Sequence, residues 1–344
     1  MSLPSLVYAG VARQRRRWYA RHPDRRRTLG RPVISVGNIA VGGSGKTPAV
    51  AYIARLLQGA GHRPAILTRG YARARPSDGV TVVSDGHRLL ADLDRAGDEP
   101  LMLARQLPTV PVLVSGDRYL AGRLAERHFG CTVHVLDDGF QHFQLERDLD
   151  LVLLSPEDVE RPVPLPSGRL REPIDVVGGA SAIIVSDTDA AQAAAVGQAV
   201  GVSPVFRLRR ALDRPRLVEP AGRVVSPAAG TRVLVVAGLA RPEGFFAAVA
   251  GEGWTVADQL AFPDHHRYGR ADLDRIVAAM RASRAVMVLT TEKDLVRLLP
   301  LRPLPVPVAW VPLLASIEPA EEFGAWLVGR LRAQGGGWAA FSPS

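Results

Sequence analysis

Pro32-Val33-Ile34-Ser35-Val36-Gly37-Asn38-Ile39-Ala40-Val41-Gly42-Gly43-Ser44-Gly45-Lys46-Thr47 is an apolar run, a glycine-rich stretch and a lysine–threonine pair in direct succession. Residues 32–36 predict a first β-strand, the glycines a loop, and residues 45–59 a helix. In a loop of this kind backbone N–H groups wrap phosphate oxygens, and the helix N-terminus adds its dipole. The lysine reaches the β- and γ-phosphates and the threonine hydroxyl binds Mg²⁺. The general pattern wants glycine where this chain has Ala40, and Gly42 and Gly43 supply the flexibility instead. Ala40, Val41, Gly42, Gly43, Ser44, Gly45, Lys46 and Thr47 are therefore the candidate ATP-binding stretch.

Outward from this stretch, short apolar runs alternate with helical patterns, which predicts an α/β fold with a parallel sheet. The runs 65–68, 112–115, 132–136, 149–154 and 182–185 suit buried parallel strands. Residues 117–129 and 190–200 read as helices. Residues 156–173, rich in Pro, Gly and Arg, read as a functional loop. Beyond residue 205 the pattern weakens around Pro204, Pro215 and Pro220. A second α/β unit then starts at 231–237, with helices at 242–251 and 271–282, a strand at 285–290 and a closing helix near 320–332. The expected organisation is a basic amphipathic segment (1–30), a phosphate-loop domain (31–205), a linker (206–225), a second α/β domain (226–335) and a tail (336–344).

With 344 residues, 47% apolar and 22% charged, the chain has enough material for two ordinary cores. Its one cysteine, Cys131, excludes an internal disulfide framework and reads as a small buried hydrophobe. No apolar stretch approaches the roughly 18 residues that span a bilayer. Residues 3–12 precede their basic cluster, the reverse of the order in a secretory signal.

The net charge of +9 is concentrated: residues 13–27 hold eight arginines and one acid, Asp24. At about 100° per residue, Leu3, Val7, Val11 and Trp18 share an arc of about 80°, and Arg13, Arg16 and Arg17 lie away from it. An apolar stripe beside arginines, with Trp18 and Tyr19 at headgroup depth, predicts an interfacial helix on an anionic membrane surface. The competing readings are a solvated basic tail and a nucleic-acid patch. No nucleic-acid motif accompanies the charge, so a nucleic-acid partner is not expected.

The chain has only two lysines, Lys46 and Lys293, against 41 arginines. An ammonium is a compact point charge that fits between phosphate oxygens where a planar fork does not. Lys293 lies in Thr291-Glu292-Lys293-Asp294, which is close to a guanine-reading motif but has its lysine one place late. Glu292 and Lys293 are candidates for the base or ribose of the nucleotide. Asp137 and Asp138 end an apolar run beside the phosphate loop, where a carboxylate can meet magnesium. They leave opposite faces of a strand, so one of them is expected to face the metal. Asp98 reads either as a helix cap or as a carboxylate base. In Phe262-Pro263-Asp264-His265-His266 a His–Asp pair suits proton transfer, and no third residue is spaced for zinc.

Taken together these pieces resemble the tetraacyldisaccharide 4'-kinases of lipid A biosynthesis. The resemblance is carried by the phosphate loop, Thr68-Arg69-Gly70-Tyr71, Gly97-Asp98-Glu99-Pro100, Asp137-Asp138-Gly139-Phe140-Gln141-His142, residues 165–173, Phe262-Pro263-Asp264-His265-His266 and Thr291-Glu292-Lys293-Asp294. It implies two α/β/α sandwich domains, the first a P-loop NTPase-like parallel sheet, joined by a β-strand linker and with the active site in the cleft between them. It implies a peripheral enzyme on the cytoplasmic face of the inner membrane that moves the γ-phosphate of ATP to the 4'-hydroxyl of a tetraacylated glucosamine disaccharide 1-phosphate. By position it makes Asp98 the base, assisted by His265, and sets Lys46 on the phosphates. It places Mg²⁺ on Thr47 with Asp137 or Asp138, and the lipid's sugar or phosphate near Arg69, Tyr71 and Arg171. No obligate protein partner is implied. The alternatives are a membrane-associated P-loop switch or partition ATPase and, from the arginines alone, a nucleic-acid-dependent ATPase.

Overall fold

A computed structural model describes residues 2–43, 45–71, 73–76, 78–226 and 230–334. In chain order it runs α1 (Leu3–Arg21), β1 (Val33–Asn38), α2 (Lys46–Gly59), β2 (Pro64–Thr68), β3 (Thr81–Asp85), α3 (Leu93–Ala96), α4 (Asp98–Gln106), β4 (Pro111–Val114), α5 (Arg118–Phe129), β5 (Val133–Asp137) and β6 (Leu149–Leu154). It continues through α6 (Pro156–Glu160), β7 (Ala182–Ser186), α7 (Ala190–Val200), β8 (Val205–Leu212), β9 (Arg216–Leu217), β10 (Arg232–Ala237), α8 (Glu243–Gly251), β11 (Thr255–Ala261), α9 (Arg270–Ala282) and β12 (Met287–Thr291). The last elements are α10 (Glu292–Leu298), β13 (Val308–Val311), β14 (Leu313–Glu318) and α11 (Ala320–Gln334).

The chain divides into two compact units: Met1–Ala96 with Leu103–Arg209 and Ala315–Ser344, and Gly97–Met102 with Arg210–Leu314. Two segments thus lie elsewhere than the sequence reading puts them. Gly97–Met102, the start of α4, belongs to the second unit, and the closing helix α11 to the first.

The larger sheet has the order β14-β8-β7-β6-β1-β5-β2-β4-β3. From β8 to β4 its neighbours pair in parallel, and β3 is an antiparallel edge. Strands β1, β2, β4, β5 and β7 are buried along their whole length, which is why they read as unbroken apolar runs. Ile39, Phe140, Val152, Leu154, Ile183 and Val185 belong to one core cluster, and Leu29, Val33, Leu67, Leu113 and Leu136 to another. The second unit is built on the sheet β11-β10-β12-β13-β9, parallel except for β9. Its strand β10 supplies Leu234 and Val236 to one cluster and Val233 and Val235 to another, the alternation expected of a strand covered on both sides.

Helix α1 is turned so that its apolar arc faces outward. Leu3, Leu6, Val7, Val11 and Trp18 are exposed, while the opposite face buries Ser5 and Ala9. On that inner side Arg16 makes a two-pronged pair with the buried Glu172 (2.9 and 3.1 Å) and stacks over Phe140, and Arg13 pairs with Asp175 (3.1 Å).

Candidate active site

In the first unit, β1 delivers its last residue, Asn38, at the mouth of the glycine loop. The loop turns through left-handed backbone at Gly42 (φ 108°) and Gly45 (φ 81°), which only glycine adopts without strain. Gly45 then caps α2, so Lys46 and Thr47 occupy its first turn. Lys46 Nζ donates to Asn38 Oδ1 (3.0 Å) and lies 3.5 Å from Asp138 Oδ1. Asn38 Nδ2 donates to Ala40 O (2.7 Å), which braces the loop entry. Val41 gives its N–H to Arg169 O (2.8 Å), and Ala40 bridges Leu170. That amide therefore ties the loop to residues 163–173 instead of pointing at a ligand. Ser44, read as part of the ATP-binding stretch, lies outside the described residues.

Asp137 closes β5 and is buried, accepting from Thr68 Oγ1 (3.1 Å). Asp138 is past the strand and left-handed (φ 54°), so the two acids are separated by a turn and not by the strand's pleat. Asp138 Oδ2 accepts from Arg171 Nη1 (2.8 Å). Burial works to raise its pKa, but Lys46 and Arg171 outweigh that and hold it below the usual carboxylate range. Its Oδ1 is buried and accepts no hydrogen bond. Magnesium in a phosphate site needs only one or two protein oxygens, the rest coming from phosphates and water. The hydroxyl of Thr47 and the carboxylates of Asp137 and Asp138 are hard oxygen donors of the right class. No group of three or more His, Cys, Asp or Glu arranged to hold a metal occurs among the described residues.

Nearby, Arg118 is buried with its Nε unpartnered and its pKa pushed down to about 10 by burial, then by Arg69. His142 is held to about 3 by burial and Arg118, so its ring is neutral. Arg69 and Tyr71 are exposed. Sequence reasoning missed Arg118, His142 and Glu172 as functional candidates, although His142 and Glu172 stood in quoted motifs.

The second unit gathers a separate cluster around Asp98, the first residue of α4. Asp98 Oδ2 accepts from Arg297 Nε (3.1 Å), from Arg297 Nη2 and from His265 Nδ1 (3.0 Å). Its Oδ1 accepts the Glu99 amide (3.0 Å). Burial pushes its pKa up, yet Arg297, Lys293 and His265 together bring it below the ordinary value. His265 stands at φ 58°, a left-handed geometry uncommon outside glycine. Lys293 pairs with Asp264 (3.1 Å), with Glu99 (3.7 Å) and with Asp98 (4.0 Å). Glu292 Oε2 accepts the Leu313 amide (3.2 Å).

A family model described as tetraacyldisaccharide-1-P 4'-kinase matches residues 1–332. The chain belongs to this family. A tetraacyldisaccharide 4'-kinase of Geobacter sulfurreducens is 40% identical over 304 residues, covering 87% of this chain and 83% of the relative. One from Syntrophus aciditrophicus is 37% identical over 343 residues, covering 93% and 89%. A crystal structure of the Aquifex aeolicus family member in complex with ATP matches with a TM-score of 0.76 at 30% identity, covering 95% of this chain and 97% of that one. The parallel sheets and glycine loop described above are thus those of a tetraacyldisaccharide-1-P 4'-kinase.

Proposed function

We infer that the chain is an ATP-dependent kinase that moves the γ-phosphate of ATP onto the 4'-hydroxyl of the tetraacylated glucosamine disaccharide 1-phosphate from which lipid A is made. Within the chain, the observation that supports this best is Lys46 in the first turn of α2, beside Asp138 and behind a left-handed glycine cap. In this reading Lys46 and the α2 N-terminus take the phosphates, and Thr47 with Asp137 or Asp138 would hold Mg²⁺, which when bound offsets phosphate charge. Asp98 is the base. Its Oδ2 is engaged by Arg297 and His265, so Oδ1 is the oxygen that accepts the hydroxyl proton. A carboxylate of lowered pKa suffices, because phosphoryl transfer through a loose transition state rewards positioning more than base strength. Arg69, Tyr71 and Arg171 are assigned to the sugar or phosphate of the lipid.

The same reading puts the protein at the cytoplasmic face of the inner membrane as a peripheral enzyme. No described helix is long and apolar enough to cross a bilayer. The outward apolar arc of α1, with its arginines, suits an anionic interface. A four-chain acceptor stays in the bilayer, since each CH₂ withdrawn costs about 0.8 kcal/mol.

Purified protein incubated with ATP, Mg²⁺ and the tetraacyl disaccharide 1-phosphate is expected to yield a lipid carrying a second phosphate at the 4'-position. Absence of that product from folded, ATP-binding protein would overturn the reading.

A further inference from the structure

Among the described residues Arg297 is, with Arg118, a cation nearly sealed from water, with 4% of its surface exposed. An isolated buried guanidinium is costly, so its partners say what it is for. Its Nε and Nη2 both go to Asp98 Oδ2. Its Nη1 goes to Gly238 O (3.0 Å) and to Asp294 Oδ1 (3.2 Å). Asp294 is itself fully occupied: Tyr268 Oη donates to Oδ1 (3.0 Å), and Thr291 Oγ1 (2.7 Å) and the Gly238 amide (3.0 Å) donate to Oδ2. Its carboxylate cannot swing away, so the guanidinium plane is locked by the strand ends of β10 and β12. A methyl group at Gly238 would come within 2.7 Å of Asp294 Oδ1, which shows how little slack the mount has.

We propose that Arg297 is a positioning residue for proton transfer: it clamps Oδ2 of Asp98 and leaves Oδ1 as the proton-accepting oxygen. This rests on the assignment of Asp98 as the base. The charged and titratable groups that face Asp98 are Arg297 and Lys293 from α10, His265 from the loop after β11, and its own neighbour Glu99. Lys293 is shared with Asp264 and Glu99 and reaches Asp98 only at 4.0 Å, whereas Arg297, though also paired with Asp294, places Nε and Nη2 on Asp98 Oδ2 within hydrogen-bond distance. An adjacent guanidinium lowers a carboxylate pKa by about 1–3 units. Without it, Asp98 takes up its proton at higher pH and the acid side of the activity profile moves up.

The test is the pH dependence of kcat at saturating ATP and lipid for wild type, Arg297→Gln, Arg297→Lys and Asp98→Asn, each checked for cooperative melting. Arg297→Gln should raise the acid-side midpoint by about one unit or more and lower kcat about tenfold, with KM for ATP within about twofold. Arg297→Lys keeps the charge but not the fork, so its midpoint should stay within about half a unit while kcat still falls several-fold. A folded Arg297→Gln whose midpoint does not move would overturn the proposal, because a merely structural role changes amount and not titration. If that variant does not fold, a lysine variant with wild-type kcat, or with a midpoint raised by a unit, overturns it equally. Asp98→Asn separates the two levels: unchanged kcat there removes the base assignment itself, whereas its collapse beside an unmoved Arg297→Gln midpoint removes only the clamp.

Discussion

Lys46 and Arg297 are both cations set against an aspartate, and their chemistry differs for physical reasons. Lys46 reaches Asn38 and Asp138 through one mobile ammonium, the form of charge that can follow a phosphate. Replacing it with arginine keeps the charge but demands room for a planar fork. Lys46→Arg should lower kcat/KM by about 10- to 100-fold, roughly 1.4–2.7 kcal/mol of transition-state stabilisation, with the melting temperature little changed. Steady-state kinetics beside a thermal melt check this. Lys46 was legible because glycines surround it in a pattern that has one common use. Arg297 was not: in a chain with 41 arginines, one more near the end of a short charged helix carries no mark. Only the fold reveals that the residues it meets are Asp98, Asp294 and the Gly238 carbonyl. Lys293 drew attention by its rarity, but the sequence did not show that Asp264 and Glu99 would pair with it.

Strands that bury their whole length and helices that bury one regular face were the readable ones. Strands β1, β2, β5 and β7 and helices α2, α5 and α7 appear within a few residues of where apolar runs and periodicity put them. Strand β11 was missed because its residues lie exposed or half-exposed and include Asp258 and Gln259, leaving no apolar run to notice. Strand β8 mixes apolar residues with Arg207, Arg209 and Arg210 and sits past Pro204, so it read as fragments. Helix α1 was legible as amphipathic, but only the fold shows its polar face turned inward on Glu172 and Asp175. Two predictions belong here. Glutamate at both Val7 and Val11, each exposed, should cut binding to anionic vesicles about tenfold or more without altering the melting temperature; flotation with vesicles measures it. At the end of β1, a methyl on Gly37 would lie 2.6 Å from Phe140 Cβ and 2.7 Å from its backbone nitrogen. Gly37→Ala should therefore cost about 1–3 kcal/mol, read by denaturant unfolding, and disturb the turn that carries Asp138.

For the whole molecule, the glycine loop with Lys46 and the Asp98 cluster belong to two different units, built on the nine-stranded and the five-stranded sheet respectively. Sequence order hid part of this. A reader assigns residues to domains by continuity, yet Gly97–Met102 returns to the second unit and Ala315–Ser344 to the first. The excess positive charge is consistent with an anionic acceptor as well as an anionic surface. The central claim is that ATP is consumed only by transfer to the lipid. It is tested most directly by measuring ADP and 4'-phosphorylated lipid together, with and without the tetraacyl disaccharide 1-phosphate. The account predicts the two products in equal amounts and negligible ADP without acceptor; rapid ADP release in its absence, unmatched by phosphorylated lipid in its presence, would contradict it.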